Sequence, residues 1–384
     1  MKKFGVILVS LLLVFAVTFS ACENVENVTP PVLEGQENEL SSGDELDKIV
    51  PETFDEFNEE DVPFEEESLA ESVKFSEPFD LFSEFSAENL HSRSVYLYNI
   101  TADYPVYALN ENERLPPAST LKMMTAIVTL ENVENLYEIV EIPEVCFDEF
   151  HTGNPNKEGI ARLGVEAGQD NFTYLDCLNA LLVASCCEIS NVLAYNVGGG
   201  SIATFVDMMN AKAAELGLEN THFTNPHGLH ETGNFSSAHD MFLIAQYAFL
   251  NLPMFVKIIE QPAYIYPPLP AYPEGFILQN RCGLSRDSEE NLYFFEGAKS
   301  VKTGALDYVY EFINGEWVEF DGITCLTSRF VYNDEVFLLS TFHAPWLYGT
   351  RPIFDEDGYE LSRFHYTYLD HGAIYEAVVG AMNR

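Results

Sequence analysis

Apolar positions change their pattern three times along the chain. Residues 6–19 form a predominantly apolar run behind Lys2 and Lys3. That is the layout of an export signal, and the run is short for a membrane-spanning helix. Over residues 23–90 the apolar positions thin to scattered phenylalanines (Phe54, Phe57, Phe64, Phe75, Phe79, Phe82, Phe85) with neither a helical nor a strand period. From Ser94 onward periodicity appears. Residues 94–99 alternate as a strand, Asp103-Tyr104-Pro105 marks a turn, and residues 106–109 predict a second strand. Helical spacing follows at 121–130. A long apolar pattern over 172–197 suits a buried helix or helix pair. Further helices are predicted at 205–216, ended by Gly217, at 239–250 and at 369–382, with a strand at 336–342. Helices in the middle and strands at both ends predict an α+β fold whose antiparallel sheet is assembled from distant segments. No internal repeat is present.

Composition sharpens this division. The chain has 384 residues, 47% of them hydrophobic, so a large core is available. Acids outnumber bases 61 to 19, a formal charge of −42. Such a polyanion repels nucleic acid and is not held on anionic lipid by charge. Between Glu23 and Glu88 there are 22 acids against Lys48 and Lys74. Self-repulsion extends a segment of that kind. The predicted layout is therefore a signal at 1–21, an acidic tether at 22–90 and a folded domain at 91–384. Within the tether, residues 75–85 are the best candidate for local order. The apolar run ends Phe19-Ser20-Ala21-Cys22. Small residues before a cysteine resemble a bacterial lipobox, which predicts lipidation of Cys22 and anchoring to the outer face of the cytoplasmic membrane.

The first chemical signal is Pro116-Pro117-Ala118-Ser119-Thr120-Leu121-Lys122 ahead of an apolar helix. Ser119 is placed to cap that helix, and Lys122 falls on the same face. A buried amine beside a serine hydroxyl can take its proton, and a helix N-terminus supplies N–H groups for an oxyanion. Taken alone, this spacing is more often a helix cap and a surface lysine.

The surrounding residues resemble the penicillin-binding D-alanyl-D-alanine carboxypeptidases, serine peptidases marked by S-x-x-K, S-x-N and K-T-G. The resemblance runs through residues 106–130, Ala180 to Ser185, Met208-Met209-Asn210 and the stretch Asn220-Thr-His-Phe-Thr-Asn-Pro-His-Gly-Leu229. It continues through Ser236-Ser-Ala-His-Asp240 to Lys302-Thr303-Gly304. It implies a β-lactamase/transpeptidase-like fold, an antiparallel sheet flanked by helices plus a helical subdomain. It also implies Ser119 as nucleophile, Lys122 as its base, Ser185 as proton relay and Lys302 as the positive charge beside it. Thr303 would bind the terminal carboxylate of a D-Ala-D-Ala peptide, Gly304 would leave room for substrate along the strand, and Ala305 would share the oxyanion hole with Ser119. β-Lactams would acylate Ser119. No metal or cofactor is implied. His222 and His227 are expected to fix a loop.

Two departures bear on activity. The second motif reads Ser185-Cys186-Cys187, so Cys187 stands where the family has Asn. An amide can hold the lysine and the substrate carbonyl together, whereas a thiol is a weak donor and acceptor. Losing such a group costs about 10²–10³ in rate. Ser300 and Leu306, around Lys302-Thr303-Gly304, replace the family's usual Gly and Thr. Cys187 reads either as an apolar helix residue, the favoured reading, or as a thiol made reactive by Lys122 and Lys302. Apart from Cys22, six cysteines permit 15 pairings, and the sequence does not choose among them. Two functions remain in view: a D,D-carboxypeptidase trimming peptidoglycan stem peptides, and a weak or inactive homologue that binds cell wall. A β-lactamase is a lesser possibility, since no Glu-containing loop for its hydrolytic water is identifiable.

Overall fold

The computed structural model describes residues 78–81, 85–157, 160–261, 263–270, 272–279, 284, 291–313, 316–346, 353–354, 360–362 and 364–384. The expected export signal and lipid-bearing Cys22 lie outside these residues, as does most of the expected tether.

Strands β1 (Ser94–Asn99) and β2 (Tyr104–Leu109) form a hairpin at one edge of the main sheet. Helix α1 (Lys122–Asn132) follows, then α2 (Tyr174–Leu182), α3 (Cys187–Val197), α4 (Ile202–Glu215), α5 (Ala238–Asn251) and α6 (Pro253–Glu260). A small hairpin, β3 (Ala263–Tyr266) with β4 (Phe276–Gln279), precedes three long strands: β5 (Ala298–Ile313), β6 (Glu316–Tyr332) and β7 (Glu335–Pro345). The main sheet runs β2-β1-β7-β6-β5 and is antiparallel throughout, so β5 is an edge strand. Helix α7 (His365–Met382) closes the chain. The α+β reading, with the sheet built from both ends of the domain, agrees with this architecture.

Both faces of the sheet are covered, which explains why β1 is buried along nearly its whole length. Val95 and Leu97 face a core shared with Phe337 and with Ile374, Tyr375 and Val378 of α7. Tyr96 faces the opposite core, built from α1 to α6. Local signals set the helix starts. Thr173 and Asp176 form a reciprocal capping box on α2, and Ser201 and Ser237 cap α4 and α5. The apolar pattern over 172–197 resolves into a helix pair because the backbone turns at Ser185, a non-glycine residue with φ +62°.

Five of these elements went unpredicted: α6, β3, β4, β5 and β6. Pro253 starts α6 immediately after α5, and β5 and β6 lack clean alternation. Both strands are covered near Leu306 and Cys325, yet Trp317, Val318 and Phe320 are exposed where the hairpin runs beyond β7. The last part of the expected tether already packs on the domain. Leu81 is buried and its N–H donates to Val106 O at 3.1 Å, while Phe79 and Phe85 meet Tyr104 and Tyr107 edge-on. Asp370 of α7 ties down the domain entrance, accepting from the backbone N–H groups of His91 and Ser92 at 2.9 and 2.7 Å.

Candidate active site

Residues Ala118–Leu121 form a tight 3-10 turn that leads straight into α1. In such a turn side chains three apart eclipse one another, so Lys122 stands over Ser119, with Nζ and Oγ 2.8 Å apart. The expected capping role of Ser119 does not hold. Leu121 occupies the N-cap of α1 and no side chain caps it; the Ser119 hydroxyl is engaged by Lys122 instead. Lys122 is fully buried and donates to His227 O at 2.7 Å, with Cys187 Sγ 3.5 Å away.

The second serine comes from the α2–α3 corner. Ser185 Oγ accepts from Lys302 Nζ at 2.9 Å, and Lys302 also donates to Thr303 O at 2.9 Å. Lys302 lies on β5 directly after a bulge: Ser300 pairs with Ser328 and Lys302 with Thr327, leaving Val301 as the extra residue. A bulge re-aims the side chains that follow it. Thus Ser119 and Lys122 meet within one turn of chain, whereas Ser185 and Lys302 are brought together from 117 residues apart.

Glycines permit the close approaches. A Cβ on Gly304 would stand 3.0 Å from Ala118 Cβ and from the backbone nitrogens of Ser119 and Thr120. The lack of a side chain at Gly304 thus lets the Ser119 turn pack closely against β5. Gly228, at φ +84°, has Ala118 O where a Cβ would go. Thr303 and Ala305 follow Lys302 on the edge strand, half-buried and paired with Leu326 and Thr324.

Cys187 opens α3 and packs with Phe150, Ile160 and Leu229. Burial raises its pKa, and the nearby Lys122 offsets this only in part. The reactive-thiolate alternative is therefore corrected in favour of an apolar, protonated thiol. Among the described residues Cys146, Cys177, Cys187 and Cys325 are buried free thiols, and Cys186 is buried beside them in sequence. Leu306 is buried in the core, which fills the place of the family's Thr with packing.

The Asn-Pro-His-Gly-Leu stretch is a turn folded around Asn225, whose Oδ1 accepts from Gly228 N–H at 2.8 Å and whose Nδ2 donates to Leu229 O at 3.0 Å. Its carbonyls point at α1: Pro226 O receives the Thr125 hydroxyl at 2.6 Å and His227 O receives Lys122. His222 Nδ1 donates to Gly233 O at 2.8 Å. Both histidines hold loops, as expected. Sequence reasoning missed Glu149 and Lys157, which form a cluster with Asn191 behind this turn. In so acidic a chain one more carboxylate carries no signal.

With this geometry in place, comparison with known proteins becomes decisive. The family model described as D-alanyl-D-alanine carboxypeptidase matches residues 83–305. The chain belongs to that family. The carboxypeptidase DacB2 of Mycobacterium tuberculosis is 31% identical over 198 residues, covering 51% of this chain and 60% of that protein. DacF of Bacillus subtilis is 36% identical over 141 residues, 37% of this chain and 34% of that one. The chain thus spans less than two thirds of either relative. Among solved structures, a Streptomyces K15 DD-transpeptidase variant superposes with a TM-score of 0.58 at 22% identity, covering 75% of this chain and 97% of that one. A D-alanyl-D-alanine carboxypeptidase from M. tuberculosis gives 0.54 at 21%, covering 75% and 91%. These likenesses establish the fold.

Proposed function

We propose that this member of the carboxypeptidase family is a serine D,D-carboxypeptidase acting on peptidoglycan stem peptides outside the cytoplasmic membrane. One observation carries the reading: two lysine–serine pairs, Lys122 with Ser119 at 2.8 Å and Lys302 with Ser185 at 2.9 Å, sit beside the edge of β5. Ser119 Oγ attacks the carbonyl between the two D-alanines as its proton passes to the amine form of Lys122. The peptide C–N bond breaks, and the leaving D-Ala amine takes a proton through Ser185, which Lys302 orients and charges. Water then hydrolyses the Ser119 ester, returning the serine its proton. Thr303 receives the substrate's terminal carboxylate, and the peptide lies along β5 as an added strand, with the N–H groups of Ser119 and Ala305 on the oxyanion.

Cys187 is the feature that favours a weaker enzyme, because Lys122 meets sulfur at 3.5 Å in place of an amide. The four lysine and serine groups are nevertheless within hydrogen-bond distance as pairs, which supports turnover over mere binding. Incubation of the full chain with a peptide ending in D-Ala-D-Ala should release free D-alanine, and Ser119→Ala should abolish the release. Binding of the peptide without release would leave the cell-wall-binding reading standing.

The reading extends to the layout of the chain: a signal at 1–21, a tether from 22 to about 90, the catalytic domain beyond it, and a lipid on Cys22. Cys22→Ala should move the protein from the membrane fraction to the soluble one. Continued sedimentation with membranes would refute the lipid anchor.

A further inference from the structure

Lys122 has two fixed neighbours besides Ser119, and they come from different segments: His227 O from the Asn225 turn, and Cys187 Sγ from the start of α3. One carboxylate bridges those two segments. Glu149 Oε1 lies 3.1 Å from His227 Nε2 and accepts from Asn191 Nδ2 at 2.6 Å, with Asn191 one helical turn beyond Cys187. Its other oxygen pairs with Lys157, which in turn reaches Glu231 at 2.6 Å.

The protonation pattern is legible from the contacts. Leu229 N–H donates to His227 Nδ1 at 3.2 Å, so the ring proton sits on Nε2 and is donated to Glu149. Burial keeps the His227 ring neutral. Burial alone would raise the Glu149 carboxyl, but the hydrogen bond from His227 and the Lys157 ammonium outweigh it and hold it ionised. Both ring nitrogens of His227 are thereby fixed, and with them the peptide whose carbonyl receives Lys122. Asn191 also donates to Cys146 O at 3.0 Å, so the same hub anchors α3.

We propose that Glu149 is a positioning residue for Lys122. It locks His227, and through the His227 carbonyl it supplies the orientation of the lysine that the Asn of the second motif would otherwise provide and that Cys187 provides only weakly. The inference rests on the serine-enzyme reading above.

The test is the second-order rate of acylation of the full chain by benzylpenicillin, followed by intact mass, in four forms: wild type, Glu149→Ala, Cys187→Asn, and both together. Glu149→Ala should acylate about 10-fold to 100-fold more slowly, since misplacement of a catalytic group has effects of that order. On the Cys187→Asn background the loss should shrink by about fivefold or more, because the two anchors share one task. Glu149→Gln, which still accepts from His227 Nε2–H, should stay within about threefold of wild type if geometry and not charge is what Glu149 supplies. Should Glu149→Ala not fold, His227→Phe, which keeps the peptide carbonyl and severs the same link, is read in its place.

A wild-type rate in Glu149→Ala overturns the proposal. So does an equal loss on the wild-type and Cys187→Asn backgrounds, which marks a purely structural residue. Absence of any adduct in the wild-type chain overturns this proposal together with the serine-enzyme reading. A normal wild-type adduct combined with an unaffected Glu149→Ala overturns the proposal alone.

Discussion

Two non-glycine residues with positive φ, Ala118 at +48° and Ser185 at +62°, stand at the two serines of the site. Such backbone costs of order 1–3 kcal/mol each and persists where the surroundings over-determine it. At Ala118 the surroundings are Gly228, where a Cβ would collide with Ala118 O, and Gly304, where a Cβ would crowd the turn at 3.0 Å. Gly304→Ala should therefore push the Ser119 turn away from β5, slowing acylation about tenfold or more while the chain stays folded. An unchanged acylation rate in a folded variant would show that the turn and the strand can part without cost. Ser119, Lys122, Ser185 and Lys302 were all legible in the sequence, because each lies in a motif of fixed spacing. The packing role of Gly304 was not, since only the fold shows that its neighbour is the Ser119 turn. Glu149 was illegible for a different reason: its partners lie 8, 42 and 78 residues away.

Among elements, the helices other than α6 announced themselves through their apolar period, and the capping box at Thr173 and the stop at Gly217 fall where the apolar patterns begin and end. The strands β5 and β6 escaped notice because a sheet covered on both faces near its centre and bare at its tip produces no steady alternation. Helix α7 illustrates what such coverage demands. Its His371 is fully buried, with Nδ1 2.6 Å from Ser328 Oγ on β6 and Nε2 2.9 Å from Thr341 Oγ1 on β7. Burial pulls its pKa down to about 3. A histidine near 6.5 in the unfolded chain then takes up a proton that the folded chain refuses. Its contribution is fully present above about pH 6.5 and is lost as pH falls toward the folded value. Between pH 7 and pH 5 this one group should remove about 2 kcal/mol of stability. Thermal melts should show a smaller loss over that interval in His371→Gln. Equal losses in the two proteins would mean that α7 opens to water before the domain unfolds.

The whole molecule separates charge from chemistry. Of its 61 acids, 22 lie between Glu23 and Glu88 in the sequence, while the four groups that do the proposed chemistry are two serines and two lysines. Composition predicted a boundary near residue 90, yet Leu81, before it, buries its side chain in the core while its N–H donates to Val106 O of β2. The proposed function rests on one central claim, that Ser119 is a nucleophile activated by Lys122 despite the cysteine beside it. The most direct measurement is the intact mass of the full chain after incubation with benzylpenicillin, with Ser119→Ala alongside. The account predicts a single covalent adduct that maps to Ser119 and is missing from the variant. An unmodified wild-type chain after long exposure at high concentration, or an adduct that persists in Ser119→Ala, would contradict it.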